Sequence, residues 1–282
     1  MDRERLPGTS FSRIIMPTSQ KSSQPIALTI AGSDSGGGAG LQADLKTFAA
    51  IGAFGTSAVT CLTAQNPRRV SAVQPVPPAF LQEQVRAVFS ELRPAACKTG
   101  MLYSGSLIRA LVEVWPRRKA PPLIVDPVMV ATSGAQLLKP SAIRILTRDL
   151  FPLATLITPN LDEAVLLLGH PIRSLAELQD AALELHLRHG CAVLLKGGHL
   201  RRSPSASDVF VDHRQQVVLS APFVRGVSTH GTGCTYSAAI TAYLALGLSL
   251  EEAVAMAKQH ISAAIAQSVQ VGRHSALNPF WS

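Results

Sequence analysis

Aromatic residues are scarce in this chain of 282 residues, at 5% of positions, and there are four cysteines. With so few rings, a stacking platform for single-stranded nucleic acid is not indicated. Cys61, Cys97, Cys191 and Cys234 stand far apart, with no C-x-x-C or other zinc spacing. That argues against a disulfide framework or a structural zinc site and fits a reducing, cytoplasmic compartment. Long apolar runs are lacking too. Stretches such as Val193–Leu195 and Tyr243–Leu246 fall far short of the roughly 20 residues that span a bilayer. Acidic residues are in deficit, 18 against 26 Lys and Arg, for a net charge of +8. The excess lies in short knots, Arg68-Arg69, Arg117-Arg118-Lys119 and Arg201-Arg202, none interleaved with aromatics. An anionic small substrate is therefore favoured over nucleic acid, and no membrane partner is expected.

What remains is a globular composition with 47% hydrophobic residues, ample for a core without staples. Residues 1–24 carry Arg3, Arg5, Arg13 and Lys21 without sustained periodicity and read as a flexible extension. No linker or repeat divides residues 25–282, which are expected to form a single domain.

From Pro25 onward, short apolar runs alternate with helical patterns. Strands are predicted at Ile26–Ile30, Ser57–Leu62, Leu123–Val125, Thr155–Ile157 and Cys191–Leu195. Helices are predicted from about Gly40 to Ala53 and over Pro78–Glu91, Ser104–Trp115, Pro140–Leu150 and Leu161–Leu168. Three more are predicted over Leu175–His189, Thr232–Leu246 and Leu250–Val269. Strands separated by helices argue for βαβ units and a mostly parallel sheet covered on both faces. Ligands of such sheets sit beyond the carboxyl ends of the strands. Glycine and polar signals follow the predicted strands at Gly32-Ser33-Asp34, Asp126-Pro127, Thr158-Pro159-Asn160 and Lys196-Gly197-Gly198.

Two glycine loops stand out. The first, Gly32 to Gly40, lacks the lysine of a Walker motif and the spacing of a dinucleotide fingerprint. Its glycines allow close approach of backbone to a ligand, and Asp44 is expected in the first turn of the following helix. The second, Thr229-His230-Gly231-Thr232-Gly233-Cys234-Thr235, places small residues directly before a helix. Unpaired N–H donors there would form an anion hole suited to a transferred phosphoryl group. Cys234, at the helix start, is expected to be biased toward thiolate relative to an ordinary thiol of pKa about 8.5.

At these residues the chain resembles the hydroxymethylpyrimidine kinase/phosphomethylpyrimidine kinase family of thiamine biosynthesis, within the ribokinase-like kinases. The matching stretches are Ala31–Asp34 through Gln42–Thr47, Thr63–Asn66, Lys98–Leu102, Val125–Met129, Ile157–Glu163, Leu195–His199 and the Gly231 loop. They run in order over most of the chain. The resemblance implies a three-layer α/β/α sandwich with a mostly parallel central sheet, and two ATP-dependent transfers. The first phosphorylates the hydroxymethyl group of 4-amino-5-hydroxymethyl-2-methylpyrimidine; the second makes the diphosphate. Mg²⁺ is implied, as is a homodimer, with Ser57–Val76 as a candidate flap or contact.

The resemblance also implies residue roles. Gln65 would hold the pyrimidine, since a side-chain amide can pair with an exocyclic amine and a neighbouring ring nitrogen. Asp44 would lie near the substrate hydroxyl or ring, with Gly32, Met101 and Val128 sandwiching the flat ring. Cys234 would accept or orient the hydroxyl proton, while Gly231, Thr232 and Gly233 cradle the phosphate. Asn160 and Lys196 would meet ATP. Glu163 and Asp126 would serve Mg²⁺ and phosphate, partly through water. Pro67, and the segment Gly272–Leu277 with its missing second glycine and proline, depart from the family pattern. His186 and His189, three apart on a predicted helix, are expected at the surface. A pyridoxal or pyridoxine kinase on the same scaffold is the alternative enzyme, and a non-catalytic nucleotide sensor the alternative of another class.

Overall fold

A computed structural model describes residues 23–129, 138–198, 200, 205–224, 226 and 230–281. The segment 1–22, His199, the Arg201-Arg202 knot and Thr229 lie outside the described residues.

Among the described residues nine strands form one sheet, β1 (Ile26–Asp34), β2 (Phe54–Asn66), β3 (Arg69–Pro75), β4 (Ala96–Thr99), β5 (Leu123–Val125), β6 (Leu156–Ile157), β7 (Ala192–Lys196), β8 (Ser205–Val211) and β9 (Gln216–Pro222). Their order is β3-β2-β1-β4-β5-β6-β7-β8-β9. The six from β2 through β7 in that order run parallel, while β3, β8 and β9 add antiparallel pairings at the two edges. A short hairpin, β10 (Val269–Val271) with β11 (His274–Ala276), stands apart. The chain runs outward from β1 to β2 and then returns to β4 on the other side of β1. That reversal opens a crevice at the carboxyl ends of β1 and β4.

Alternation along the strands separates two cores. Leu28, Ile30, Cys97, Leu123, Val125, Val193 and Leu195 face one side. There they meet α2 (Pro78–Glu91), α3 (Gly105–Val114), α4 (Pro140–Ile145), α5 (Leu161–Leu168) and α6 (Leu175–His189). Ala27, Ala96, Ile124, Leu156, Leu194 and Phe210 face the other side. They meet α1 (Gly40–Ile51), α7 (Thr232–Ala245) and α8 (Leu250–Ala266). In α7, Thr235 through Ala242 are all buried, so it is the central helix of its layer and shows no polar stripe. This is the expected three-layer sandwich.

Element boundaries differ from the sequence reading where polarity hid them. β2 runs to Asn66 because its outer half pairs with β3, where exposed residues alternate with half-buried ones. Ser207 and Ser220 link β8 and β9 by a hydroxyl contact of 2.9 Å, and Ser205 meets Ser207 along β8 at 3.0 Å, so part of this ladder carries no apolar run. The helix expected over Pro140–Leu150 is α-helical only to Ile145, then widens into a π-turn over Leu146–Leu150. Phe151 follows in a 3₁₀ turn that also contains Pro152, which lacks the amide to continue the ladder. The last helix stops at Ala266, and Val269 pairs in β10 instead.

The two histidines of α6 are only half-buried, and neither is a plain surface residue. His186 Nδ1 lies 2.7 Å from the Cys191 carbonyl. His189 packs edge-on against Phe151, with ring centroids 4.9 Å apart. Its Nε2 is buried with no hydrogen-bond partner among the described residues, as is Nε2 of His260. Burial holds both imidazoles below the ordinary histidine value of 6.5. The unfolded chain therefore takes up protons first as pH falls through 6.5, and the folded state loses stability there. These two groups act to lower the melting temperature between about pH 7.5 and about pH 5.5, against His170, which its hydrogen bond to Glu184 holds above 6.5, so the double variant His189→Phe/His260→Phe should lose less melting temperature over that range than the wild type. Differential scanning fluorimetry over that range checks it.

Candidate active site

A cleft of about 520 Å³ lies across the carboxyl ends of the parallel strands. It is lined by Gly32, Gln65, Met101, Asp126, Val128, Asn160, Glu163, Lys196, Gly231, Thr232, Gly233 and Cys234. The topology thus brings together twelve of the thirteen residues singled out from the sequence. The thirteenth, Asp44, is not among them. It falls in the second turn of α1, not the first, and its side chain is fully buried beneath the cleft. There it accepts from Lys98 Nζ at 2.8 Å and from Thr29 Oγ1 at 2.6 Å.

At one end, Gly32 sits where a Cβ would come within 2.8 Å of Cys61 Sγ and 3.6 Å of Met101 Sδ, so only glycine leaves the floor flat. Gln65 lies at a register shift between β2 and β3, a bulge of the kind that re-aims a side chain. Its backbone is clasped on both sides by Ser35 Oγ at 2.8 Å, and its Oε1 accepts from Thr63. The amide NH₂ makes no hydrogen bond among the described residues.

In the middle, Gly231 caps α7 with φ of 83°, and the first bond inside the helix runs from Thr235 N–H to the Gly231 carbonyl at 2.9 Å. The amides of Gly233 and Cys234 precede it and have no carbonyl of their own helix to bond. This loop is pressed onto the first one. The Asp34 carboxylate accepts from the amides of Gly36, Gly38 and Ala39 at 2.8–3.1 Å, with His230 Nε2 3.4 Å away. Burial would raise Asp34, but His230 and the Gly36 and Ala39 amides outweigh it and hold the carboxyl below its usual value.

Cys234 departs from expectation. Burial pushes its thiol up to about 12, with the Asp44 and Asp126 carboxylates adding to the rise. Lys98 and the Gly40 amide pull the other way without reversing it. The helix start alone does not create a thiolate here, because withdrawal from water outweighs it.

At the other end, Lys196 Nζ bonds Asp126 Oδ1 at 3.0 Å, and Thr158 and Ser237 hydroxyls also reach that carboxylate. Glu163 and Asn160 form a reciprocal capping box at the start of α5, and Glu163 Oε1 accepts from the Met129 amide at 3.2 Å. Burial raises Glu163, with Asp126 adding and Lys196 opposing. Burial alone would lower Lys196, but Asp126 and Glu163 more than compensate and keep it charged. Beyond lies an apolar wall that includes Ala221, Pro222, Phe223, Val224, Ile261 and Ile265. Sequence reading missed this wall, because its residues are indistinguishable from core. It also gave no role to Lys98, Asp34 or His230, although each lies inside a stretch already singled out.

The arrangement can hold a flat ring at one end, an elongated anion along the middle, and an apolar group at the far end. Comparison with known proteins finds kinases. The family profile described as phosphomethylpyrimidine kinase matches residues 34–278. The hydroxymethylpyrimidine/phosphomethylpyrimidine kinase of Rhizobium meliloti is 48% identical over 251 residues, 88% of this chain and 94% of that protein. The thiamine biosynthesis bifunctional protein ThiED of Geobacter sulfurreducens is 46% identical over 89% of this chain, which spans only 51% of that longer protein. Among solved structures, the phosphomethylpyrimidine kinase of Clostridium difficile superposes with a TM-score of 0.76 at 42% identity, over 86% of this chain and 100% of that one. The ADP complex of Bacillus subtilis pyridoxal kinase gives 0.82 at 35% identity, over 90% and 97%. With a profile match along most of its length and a full-length relative approaching half identity, this chain belongs to the phosphomethylpyrimidine kinase family.

Proposed function

We propose that the protein transfers the γ-phosphoryl group of ATP to the hydroxymethyl group of 4-amino-5-hydroxymethyl-2-methylpyrimidine, and then a second phosphoryl group to the monophosphate. The observation that carries this reading is one continuous cleft in which Gln65 at the ring end and Lys196 at the anion end flank the start of α7. The ring lies on Gly32 between Met101 and Val128, with the Gln65 amide reading its edge. Gly231, Thr232 and Gly233 receive the migrating phosphoryl group, where fixed amides oppose the charge that develops. Cys234 orients the acceptor hydroxyl. Asn160 and Lys196 hold the triphosphate, and the apolar wall takes the adenine.

The Mg²⁺ that arrives with ATP is part of the substrate. Asp126 and Glu163 suit it as hard oxygen donors, yet both carboxylates already accept hydrogen bonds from protein groups. They would therefore meet the ion through its own waters, which Mg²⁺ gives up reluctantly. Bound there, the ion neutralises phosphate charge.

Turnover of ATP with the pyrimidine, followed by mass measurement of mono- and diphosphate products, tests the assignment; ATP consumption without either product overturns it. Gln65→Ala should reduce kcat/KM for the pyrimidine by about 100-fold while leaving basal ATP hydrolysis within about twofold, because only the ring loses its partner. Equal losses in both assays would remove Gln65 as the ring reader.

Pyridoxal kinase is the second reading, favoured by the fit to solved pyridoxal kinases. The enzyme of Staphylococcus aureus in complex with AMP-PCP and pyridoxal has a TM-score of 0.82 at 33% identity. Steady-state rates on both substrates decide between them. We also place the protein in the cytoplasm as a homodimer joined through the β2–β3 hairpin, where Leu62 is exposed. Sedimentation velocity tests the pairing.

A further inference from the structure

Asp34 and His230 lie in the two glycine loops, and the proposed reaction gives neither a task. Asp34 ends β1 with its buried carboxylate turned back into the first loop, where the Gly36, Gly38 and Ala39 amides donate to it. A fourth partner comes from 196 positions away, His230 Nε2 at 3.4 Å from Oδ2. The carboxyl is held below its usual value, so at neutral pH it is ionised and can only accept. Nε2 therefore carries the hydrogen. The imidazole lies against Gly38, where a Cβ would come within 3.0 Å of its Cδ2. The φ of Gly38 is not left-handed, so it is the ring, and not the backbone, that calls for glycine there. Gly231 follows directly and is pressed on the Gly38 carbonyl. The first loop is in turn bound to the ring end of the cleft: Ser35 Oγ donates to the Gln65 carbonyl and accepts from the Gln65 amide, each at 2.8 Å. A short path of contacts thus leads from Gln65 through Ser35 and Asp34 to His230, at the head of α7.

We propose that His230 is a positioning residue: by donating to Asp34 it fastens the head of α7 to the loop that carries Gln65, and so keeps the phosphoryl group in register with the acceptor hydroxyl. This rests on the kinase reading above. The imidazole exchanges no proton in the transfer. Its contribution is geometric, and a displacement of about 1 Å between reacting groups is enough to cost about 100-fold in rate. Asp34 has its three loop amides without the histidine, so the local turn does not need this contact. What the contact adds is the join between two loops that are far apart in the chain.

The test compares His230→Leu, which keeps bulk and loses the donor, with His230→Gln, whose amide NH₂ can take the place of Nε2–H. In His230→Leu, kcat for the pyrimidine should fall by about 10- to 100-fold while KM for ATP changes by less than about threefold. The monophosphate formed per ATP consumed should fall with it, and His230→Gln should recover most of the loss. A structural role alone would lower the melting temperature and cut transfer and ATP consumption together, with no rescue by glutamine. Hydrogen exchange reads the join without any substrate. The bonded amides of Gly38, Ala39 and Thr235 should exchange at least about 10-fold faster in His230→Leu and near the wild-type rate in His230→Gln. A folded His230→Leu with wild-type exchange at these amides, or with wild-type kcat, overturns the proposal. If His230→Leu does not fold, Gly38→Ala carries the same test, since its Cβ would push the ring off Asp34. Loss of folding in both makes His230 a structural residue and overturns the proposal too. Wild-type protein that makes no pyrimidine monophosphate would count against the kinase reading, and exchange would still decide whether His230 joins the loops.

Discussion

Replacing Gly231 by alanine is expected to reduce phosphoryl transfer by about 100- to 1,000-fold, comparable to losing a donor from an anion hole. The Cβ would lie 1.9 Å from the Gly38 carbonyl oxygen, well inside any permitted contact, and φ at this residue is 83°. The loop cannot retreat easily, because Asp34 ties the opposing backbone at Gly36, Gly38 and Ala39. The strain is therefore relieved by moving the start of α7, where the amides must converge. Gly190→Ala is the matched control. Its φ is also left-handed, at 70°, but its Cβ would meet nothing within 4 Å. That change should lower stability by about 1 kcal/mol through the helix cap and leave kcat/KM unaltered. Steady-state kinetics with circular dichroism on both variants makes the comparison; similar activity losses would show that the amides of α7 are not the phosphate holder.

Lys196→Met is expected to have the second largest effect. The ammonium lies against a buried Asp126 and steadies a buried Glu163, so its removal leaves two buried carboxylates without the cation they share. Breaking a buried pair in this way destabilises by about 3–5 kcal/mol. Two unopposed carboxylates would also repel the triphosphate, and activity should fall by about 100-fold or more. Denaturant titration gives the first quantity and single-turnover transfer the second. Asp126→Asn/Lys196→Met should recover part of the stability but none of the activity. Recovery of both would make Lys196 a structural residue.

The fold was legible where side-chain patterning carries it. Leu28 and Ile30 on one face of β1 and Ala27 on the other are buried alike, and such runs announce a covered parallel strand. The strand-end clusters were legible too, since glycine, asparagine and aspartate after an apolar run have few purely local reasons to recur. Three kinds of feature were not. β4 has four residues and carries Lys98, so it offers neither length nor alternation. The apolar wall of Pro222, Phe223 and Ile261 looks like any core. The third kind is electrostatic. A helix start argued for an acidic Cys234, but burial among Asp44, Asp126, Lys98 and Lys196 is a property of the assembled fold and dominates the local dipole. The same holds for Asp44, whose partner is 54 positions away.

The position of α7 in the chain has a consequence for biosynthesis. It packs on α1, β1, β4 and β5, all of which leave the ribosome long before residue 232 is made. Until then Ala27, Ala96 and Ile124 have no α7 over them, and the Asp44–Lys98 pair lacks its lid. A nascent chain in that condition presents a half-clad sheet to solvent, the kind of surface that chaperones bind and that aggregates if left alone. Translation arrested just short of Gly231 should therefore yield a species captured by a chaperone holdase, and extension through Ala245 should release it.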